Sequence, residues 1–128
     1  MNEDLSPEHS EQEQLEQALF IEIIRLAPEG SSLSITTDSW DELPRVFGKR
    51  MVVEEGEWMV PLTPESRDFI VQEALADDIQ VKFVHFYIVA ENDQNIFESY
   101  DRMVGLIIDP SFPNCERLED KYASILMS

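Results

Sequence analysis

The segment that decides the fold is IQVKFVHFYIVA, residues 79–90. Successive side chains of a β-strand point to opposite faces of the sheet, so the segment divides into two alternating sets. Both sets are mostly apolar: Val81, Phe83, His85, Tyr87 and Val89 form one, and Lys82, Val84, Phe86, Ile88 and Ala90 form the other. This pattern predicts a central strand that is covered on both sides.

The chain after this segment has the spacing of an antiparallel meander. A polar turn at residues 91–94 precedes a second strand at 95–100, and a third follows at 103–108. Connections this short favour antiparallel neighbours. A last helix is predicted from Asn114, with one apolar face of Leu118, Tyr122 and Ile125, although the final residues could instead form a strand.

The chain before residue 79 predicts two helices and three short strands. Apolar residues recur at helical spacing from Leu15 to Leu26, behind a capping pattern of Ser10 and Glu13, and Pro28 and Gly30 end this helix. A strand at 32–37, a short helical segment at 38–47 and a hairpin of 50–54 with 57–62 follow. A helix then starts at Thr63-Pro64-Glu65 and runs to about Ala76, burying Phe69, Ile70, Ala74 and Leu75, together with Val71.

This order of elements predicts an α+β domain. We expect an antiparallel sheet of about five or six strands, with an N-terminal, a middle and a C-terminal helix packed on it. A single domain would span residues 10–128. Residues 1–9 carry three acids and a proline, and are expected to form a flexible acidic tail.

Charge restricts the classes of partner. The 128 residues include 9 Lys and Arg against 27 Asp and Glu, a formal net charge of −18. So negative a chain repels nucleic-acid phosphates and anionic membrane surfaces, which argues against direct binding to either. The single cysteine, Cys115, allows no intrachain disulfide, and residues 1–14 lack the pattern of a secretory signal. We therefore expect a cytoplasmic protein.

Motifs that carry chemistry are missing from the sequence. His9, His85 and Cys115 lie far apart, without metal-ligand spacing, and the four glycines form no phosphate-binding loop. We predict no metal, no cofactor and no catalytic residue. One alternative remains open, a small-ligand or enzymatic pocket around His85, Tyr87 and Tyr100, because histidine is the side chain most easily tuned near neutral pH.

Acids beside aromatic residues suggest a binding surface. Trp40 and Trp58 adjoin carboxylates, and aromatic anchors with a polar rim are typical of interface hot spots. The predicted partner-binding residues are Asp38, Trp40, Asp41, Glu42, Glu54, Glu55, Glu57 and Trp58.

The leading hypothesis from these residues is a non-enzymatic protein that binds and neutralises a basic protein partner. Its most concrete form is a bacterial immunity protein or antitoxin against a nuclease-like toxin, since a nuclease needs a basic surface to hold phosphate. The alternative is a DNA mimic, for which Glu11, Glu13, Glu16 and Glu22 of the first helix offer a partial row of charges.

Overall fold

The structure, a computed structural model, describes residues 11–36, 52–54, 57–77 and 83–126. The predicted tail, the capping residue Ser10 and the short helical segment at 38–47 lie outside the described residues. The helices and strands, in chain order, are α1 (Glu11–Leu26), β1 (Ser32–Thr36), β2 (Val52–Glu54), β3 (Glu57–Pro61), α2 (Pro64–Asp77), β4 (Phe86–Val89), β5 (Asn95–Tyr100), β6 (Gly105–Ile108) and α3 (Cys115–Lys121).

The strands form one six-stranded antiparallel sheet in the order β2-β3-β1-β4-β5-β6. The predicted α+β class is confirmed, with three helices beside an antiparallel sheet. The meander β4-β5-β6 is also confirmed. Strand β1 lies between β3 and β4, so the sheet joins residues far apart in sequence, such as Ile35 and Phe86.

Strand β4 is central, as predicted, but shorter than the apolar segment that predicted it. Only Phe86–Val89 form the strand; Phe83 to His85 precede it, and residues 79–82 lie outside the described part of the chain. The reason lies in its partner β5, which ends at Tyr100, where Asp101, Arg102 and Met103 take left-handed φ angles. The Arg102 amide still donates to the Val84 carbonyl, so the backbone keeps a partner after the regular ladder ends.

Coverage of β4 also differs between its two faces. Phe86 and Ile88 are fully buried against the helices, whereas Tyr87 and Val89, on the opposite face, are half-buried. The predicted coverage on both sides is therefore complete on the face of Phe86 and Ile88 and partial on the face of Tyr87 and Val89. The buried face carries a chain of aromatic contacts, Phe20–Phe86 at 5.3 Å, Phe83–Phe86 at 5.8 Å, Phe86–Phe97 at 6.0 Å and Phe97–Phe112 at 6.3 Å between ring centroids.

Helix α2 begins as its sequence predicts. The Thr63 hydroxyl accepts a hydrogen bond from the Ser66 amide, and the Ser66 hydroxyl accepts one from the Thr63 amide. This reciprocal cap satisfies two donors that the first turn of a helix leaves free. Ile70, Val71 and Ala74 are buried as expected, and Phe69 is half-buried.

Leu75, however, is not part of the core, since 56% of it is exposed. Ser66, Ile70 and Ala74 recur at a spacing of four residues and form the side of α2 that faces the core. Leu75 lies on a different side of the helix. The prediction that α2 buries Leu75 is therefore wrong.

Side-chain bonds fix the helices against one another. Gln17 of α1 donates to the Ala74 carbonyl of α2, while Arg67 of α2 donates to the Ile24 and Arg25 carbonyls, so the two helices run antiparallel. At the C-terminus, Leu118 and Tyr122 are fully buried and residues 122–126 form turns. The alternative of a terminal strand is therefore wrong for the described residues.

Candidate functional site

The three residues predicted to line a pocket come together at one end of β4. The His85 and Tyr100 rings lie 5.5 Å apart, and the Tyr87 and Tyr100 rings 5.8 Å apart, both in edge contacts. The cluster lies on the sheet face opposite the core, because Tyr87 alternates with the buried Phe86 and Ile88. The structure thus brings these three residues into contact, whereas the pocket function remains a prediction.

Most polar atoms of this aromatic cluster are engaged within the protein. The Tyr100 hydroxyl donates to Glu98 Oε1, and this hydrogen bond, together with burial and the charge of Glu98, raises the pKa of Tyr100 to about 12. His85 Nδ1 accepts a hydrogen bond from the Asp101 amide at 3.2 Å. Tyr100 therefore stays protonated at neutral pH, and His85 has Nε2 left for an external group.

Cys115 belongs to the opposite side of the sheet. Its half-buried side chain packs against the core cluster at the start of α3. Burial, followed by the charges of Glu119, Asp109 and Glu116, raises the pKa of its thiol. Because the thiolate is the nucleophilic form of cysteine, this environment disfavours covalent catalysis by Cys115.

The predicted partner-binding residues are mostly beyond what the structure describes. Asp38, Trp40, Asp41, Glu42 and Glu55 lie outside the described residues. Glu54 and Glu57 are opposite each other where β2 meets β3. Trp58 pairs with Ile35 and Val53 in register and packs against the core, so only part of it is available to a partner. Partner binding by this set remains a prediction.

The helices carry about half of the net negative charge of the described residues. Together α1, α2 and α3 contain 11 acidic and four basic residues, a net charge of −7. Each of the four basic residues contacts another group of the same protein. Arg67 donates to the carbonyls of Leu62, Ile24, Arg25 and Pro28, and Arg25 lies 3.8 Å from Asp68.

The other two basic residues meet one carboxylate. Arg117 and Lys121 of α3 lie 3.4 Å and 2.7 Å from the Glu22 oxygens, and Tyr122 donates to Glu22 as well. Burial acts to raise the pKa of Glu22, but the hydrogen bonds from Lys121 and Tyr122 and the charges of Lys121 and Arg117 outweigh it and lower that pKa. Among the described residues, the ion pairs of these helical cations therefore involve only Glu22 and Asp68.

A cleft of about 450 Å³ lies at the other end of β4, where α1 ends. Its apolar lining is Pro28, Ala90 and Ile96, and its polar lining is Glu29, Glu91, Asn92, Gln94 and Ser111. The pairing of Ser32 with Val89 creates it, because that register sets the end of α1 beside the β4–β5 turn. Glu29 and Glu91 are the charged residues of the lining, so the cleft is negative.

Two local features shape this cleft. Gly30 has a φ of 88°, and a Cβ at that position would lie 3.1 Å from the Glu91 carboxyl carbon, so glycine permits the close approach of Glu91. Ser111 donates its hydroxyl proton to Asp109, and this bond together with the Ser111 amide lowers the pKa of Asp109. A third ionised carboxylate, in addition to Glu29 and Glu91 of the lining, is thus hydrogen-bonded to Ser111.

The sequence did not predict this cleft. Residues 91–94 were expected to form only a polar turn, and Pro28 and Gly30 only to end a helix. Both expectations are correct, since Asn92 Oδ1 accepts from the Gln94 amide within the turn and α1 ends at Leu26. The register between β1 and β4 is what brings the end of α1 beside the turn at residues 91–94. Local sequence patterns do not specify this register.

The described ranges contain no group of three His, Cys, Asp or Glu side chains that could hold a metal ion. Over the same part of the chain, no helix combines the length and the apolar character needed to cross a bilayer. Comparison of the chain with protein-family models, with curated proteins and with solved structures found no match in any of the three.

Proposed function

We propose that this protein is a non-enzymatic binding protein that engages and neutralises a basic protein partner. Its most concrete form is a cytoplasmic immunity protein or antitoxin against a nuclease-like toxin. The observation that carries the proposal is that the helical cations contact groups of this protein itself. Within the described part of the chain their ion pairs involve only Glu22 and Asp68, and the cations in question are Arg25, Arg67, Arg117 and Lys121.

The remaining helical carboxylates give the surface a negative field. Complementary charge speeds the encounter of two proteins and disfavours partners of the same sign. A protein that must hold nucleic-acid phosphates carries the opposite charge, which makes a nuclease-like protein a suitable class of partner.

A DNA mimic is supported less well by the first helix. Of its four predicted row members, Glu16 is only 5% exposed and Glu22 is bonded to Lys121 and Tyr122. A regular array of exposed carboxylates, as a phosphate backbone would require, is therefore interrupted on α1. The packed state of the aromatic cluster likewise supports binding over catalysis, since Tyr100 and His85 Nδ1 are already bonded.

A pull-down with the product of the neighbouring gene tests the proposal. The purified protein is immobilised, and complexes are washed at about 0.1 M and then about 1 M salt, which shortens the screening length from roughly 10 Å to roughly 3 Å. We expect one basic protein to be retained at the lower salt and released at the higher. Failure to form any salt-sensitive complex with a basic protein would overturn the proposal.

Two competition arms separate the alternatives. A DNA mimic would displace duplex DNA from several unrelated DNA-binding proteins, whereas a neutralising protein would affect its one partner. His85→Ala addresses the enzymatic alternative, because a pocket that acts through His85 would lose its activity, while neutralisation of a basic partner should be retained in full.

A further inference from the structure

The cleft at the end of β4 has the chemistry of a receptor for a cation with an apolar stem. Pro28, Ala90 and Ile96 provide apolar surface, and the carboxylates of Glu29 and Glu91 provide its charge. The volume of about 450 Å³ falls within the range of small-ligand sites, roughly 300–1,000 Å³. Apolar surface beside unpaired acids suits a side chain whose methylene groups end in a positive head.

The described polar lining contains two charged acceptors, the carboxylates of Glu29 and Glu91, and no charged donor. Neither Glu29 nor Glu91 takes part in an ion pair with another described residue. The Ser111 hydroxyl donates its hydrogen bond to Asp109, so the Ser111 oxygen can act only as an acceptor toward a ligand while this bond is kept. A guanidinium group has five N–H donors and no acceptor, and its planar fork can bond two carboxylates at once.

We propose that this cleft receives an arginine side chain of the basic partner. The inference rests on the proposed function and assigns a place for the first strong contact of that complex. Arginine is favoured over lysine because a guanidinium has five N–H donors against three, and because it is more weakly hydrated and loses less when it leaves water. Gly30 is part of the site, since a Cβ there would displace the Glu91 side chain.

The test uses N-acetyl-arginine amide as the probe and the full chain labelled with nitrogen-15. Backbone amide shifts are followed during titration, with N-acetyl-citrulline amide as an uncharged analogue of nearly the same shape. We expect saturable shifts confined to residues 29–31, 90–96 and 111, and no comparable response to citrulline. Substitution of Glu29→Gln or Glu91→Gln should weaken binding about tenfold each, the usual effect of losing one charge-assisted hydrogen bond.

A control variant carries the same change of charge away from the cleft. Glu11→Gln with Glu73→Gln removes one acid from the first turn of α1, about 22 Å along that helix from its end at the cleft, and one acid near the C-terminal end of α2. This variant should bind the arginine amide as the natural chain does. Shifts spread over the helices, an equal response to citrulline, or unchanged binding by the variant with both Glu29→Gln and Glu91→Gln would overturn the inference.

The outcome is separable from that of the proposed function because the titration contains no partner protein. If a basic partner binds in a salt-sensitive way while the arginine amide leaves the cleft amides unmoved, the cleft assignment alone is overturned. If no basic partner forms such a complex, the proposed function fails whatever the arginine amide does.

Discussion

The hydroxyl of Tyr122 donates a hydrogen bond to the carboxylate of Glu22 and thereby joins the last helix to the first, across 100 residues of sequence. Lys121 and Arg117 approach the same carboxylate. This acid is thus a structural group, and the net charge of −18 is not available to a partner in full. Acids that hold the helices together can be distinguished from exposed acids by how their substitution changes the pH dependence of the free energy of unfolding.

Glu22→Gln should destabilise the protein at neutral pH by about 1–2 kcal/mol, the size expected for hydrogen bonds to a charged group combined with partly exposed ion pairs. The pKa of Glu22 is lowered in the folded state, so its stabilisation is present above the unfolded value near 4.5 and is lost as pH falls through the folded value. Urea denaturation from pH 7 to pH 3 should therefore show the two proteins converging.

Asp120→Asn, an exposed change on the same helix, serves as the control for Glu22→Gln and should alter stability by less than about 0.5 kcal/mol. A constant difference between the natural chain and Glu22→Gln at every pH would contradict the role given to this carboxylate.

Glu16→Gln should have the opposite effect. Glu16 is 5% exposed, and burial raises its pKa, partly offset by a hydrogen bond from Gln12. A raised folded pKa gives stability that is present below the unfolded value and is lost as pH rises through the folded value. The variant should thus be more stable at pH 7, by on the order of 1 kcal/mol, and the gain should disappear in acid. A loss of stability at pH 7 would refute this assignment.

Arg67→Met tests whether the C-terminus of α1 depends on α2. The variant keeps the aliphatic stem but removes the donors that serve the carbonyls of Ile24, Arg25, Pro28 and Leu62. We expect a loss of about 1–3 kcal/mol in thermal or chemical denaturation, because partly buried acceptors lose a charged donor. Arg25→Met removes only an exposed pair with Asp68 and should cost less than about 1 kcal/mol. Equal losses for the two variants would argue against a special role of Arg67 in holding the C-terminal end of α1.

Ser99→Ala should leave stability unchanged or raise it by up to about 1 kcal/mol. The Ser99 hydroxyl is buried without a hydrogen-bond partner on the core face of β5, and such a group costs free energy. Ser66→Ala is the matched comparison, because its buried hydroxyl bonds the Pro61 carbonyl and the Thr63 backbone. That variant should lose about 1–2 kcal/mol. Similar melting temperatures for the two variants would contradict this account.

The features that the sequence predicted correctly are those that depend on residues close together in the chain. The Thr63-Pro64-Glu65 start of α2 and the end of α1 near Pro28 depend on neighbouring residues, and both occur where the sequence indicated. The pairing of the adjacent strands β4 and β5 also agrees with the short connection that the sequence indicated. These features require no knowledge of the tertiary fold.

Other features depend on distant residues and were missed. The length of β4 is limited by the left-handed turn after Tyr100, and the exposure of Leu75 by the direction in which α2 docks. The cleft needs Gly30 and Glu91 side by side, which follows from a register between β1 and β4 set by the whole sheet. The charge count likewise does not indicate which acids are bonded within the protein, such as Glu22.

The association rate constant with the basic partner tests the central claim most directly. Stopped-flow measurements over ionic strengths from about 0.01 M to 1 M change the screening length from roughly 30 Å to roughly 3 Å. If the exposed helical carboxylates steer the partner, the rate constant should fall at least about tenfold over this range. A rate constant that does not change with ionic strength would contradict the proposal that the acidic surface recruits a basic protein.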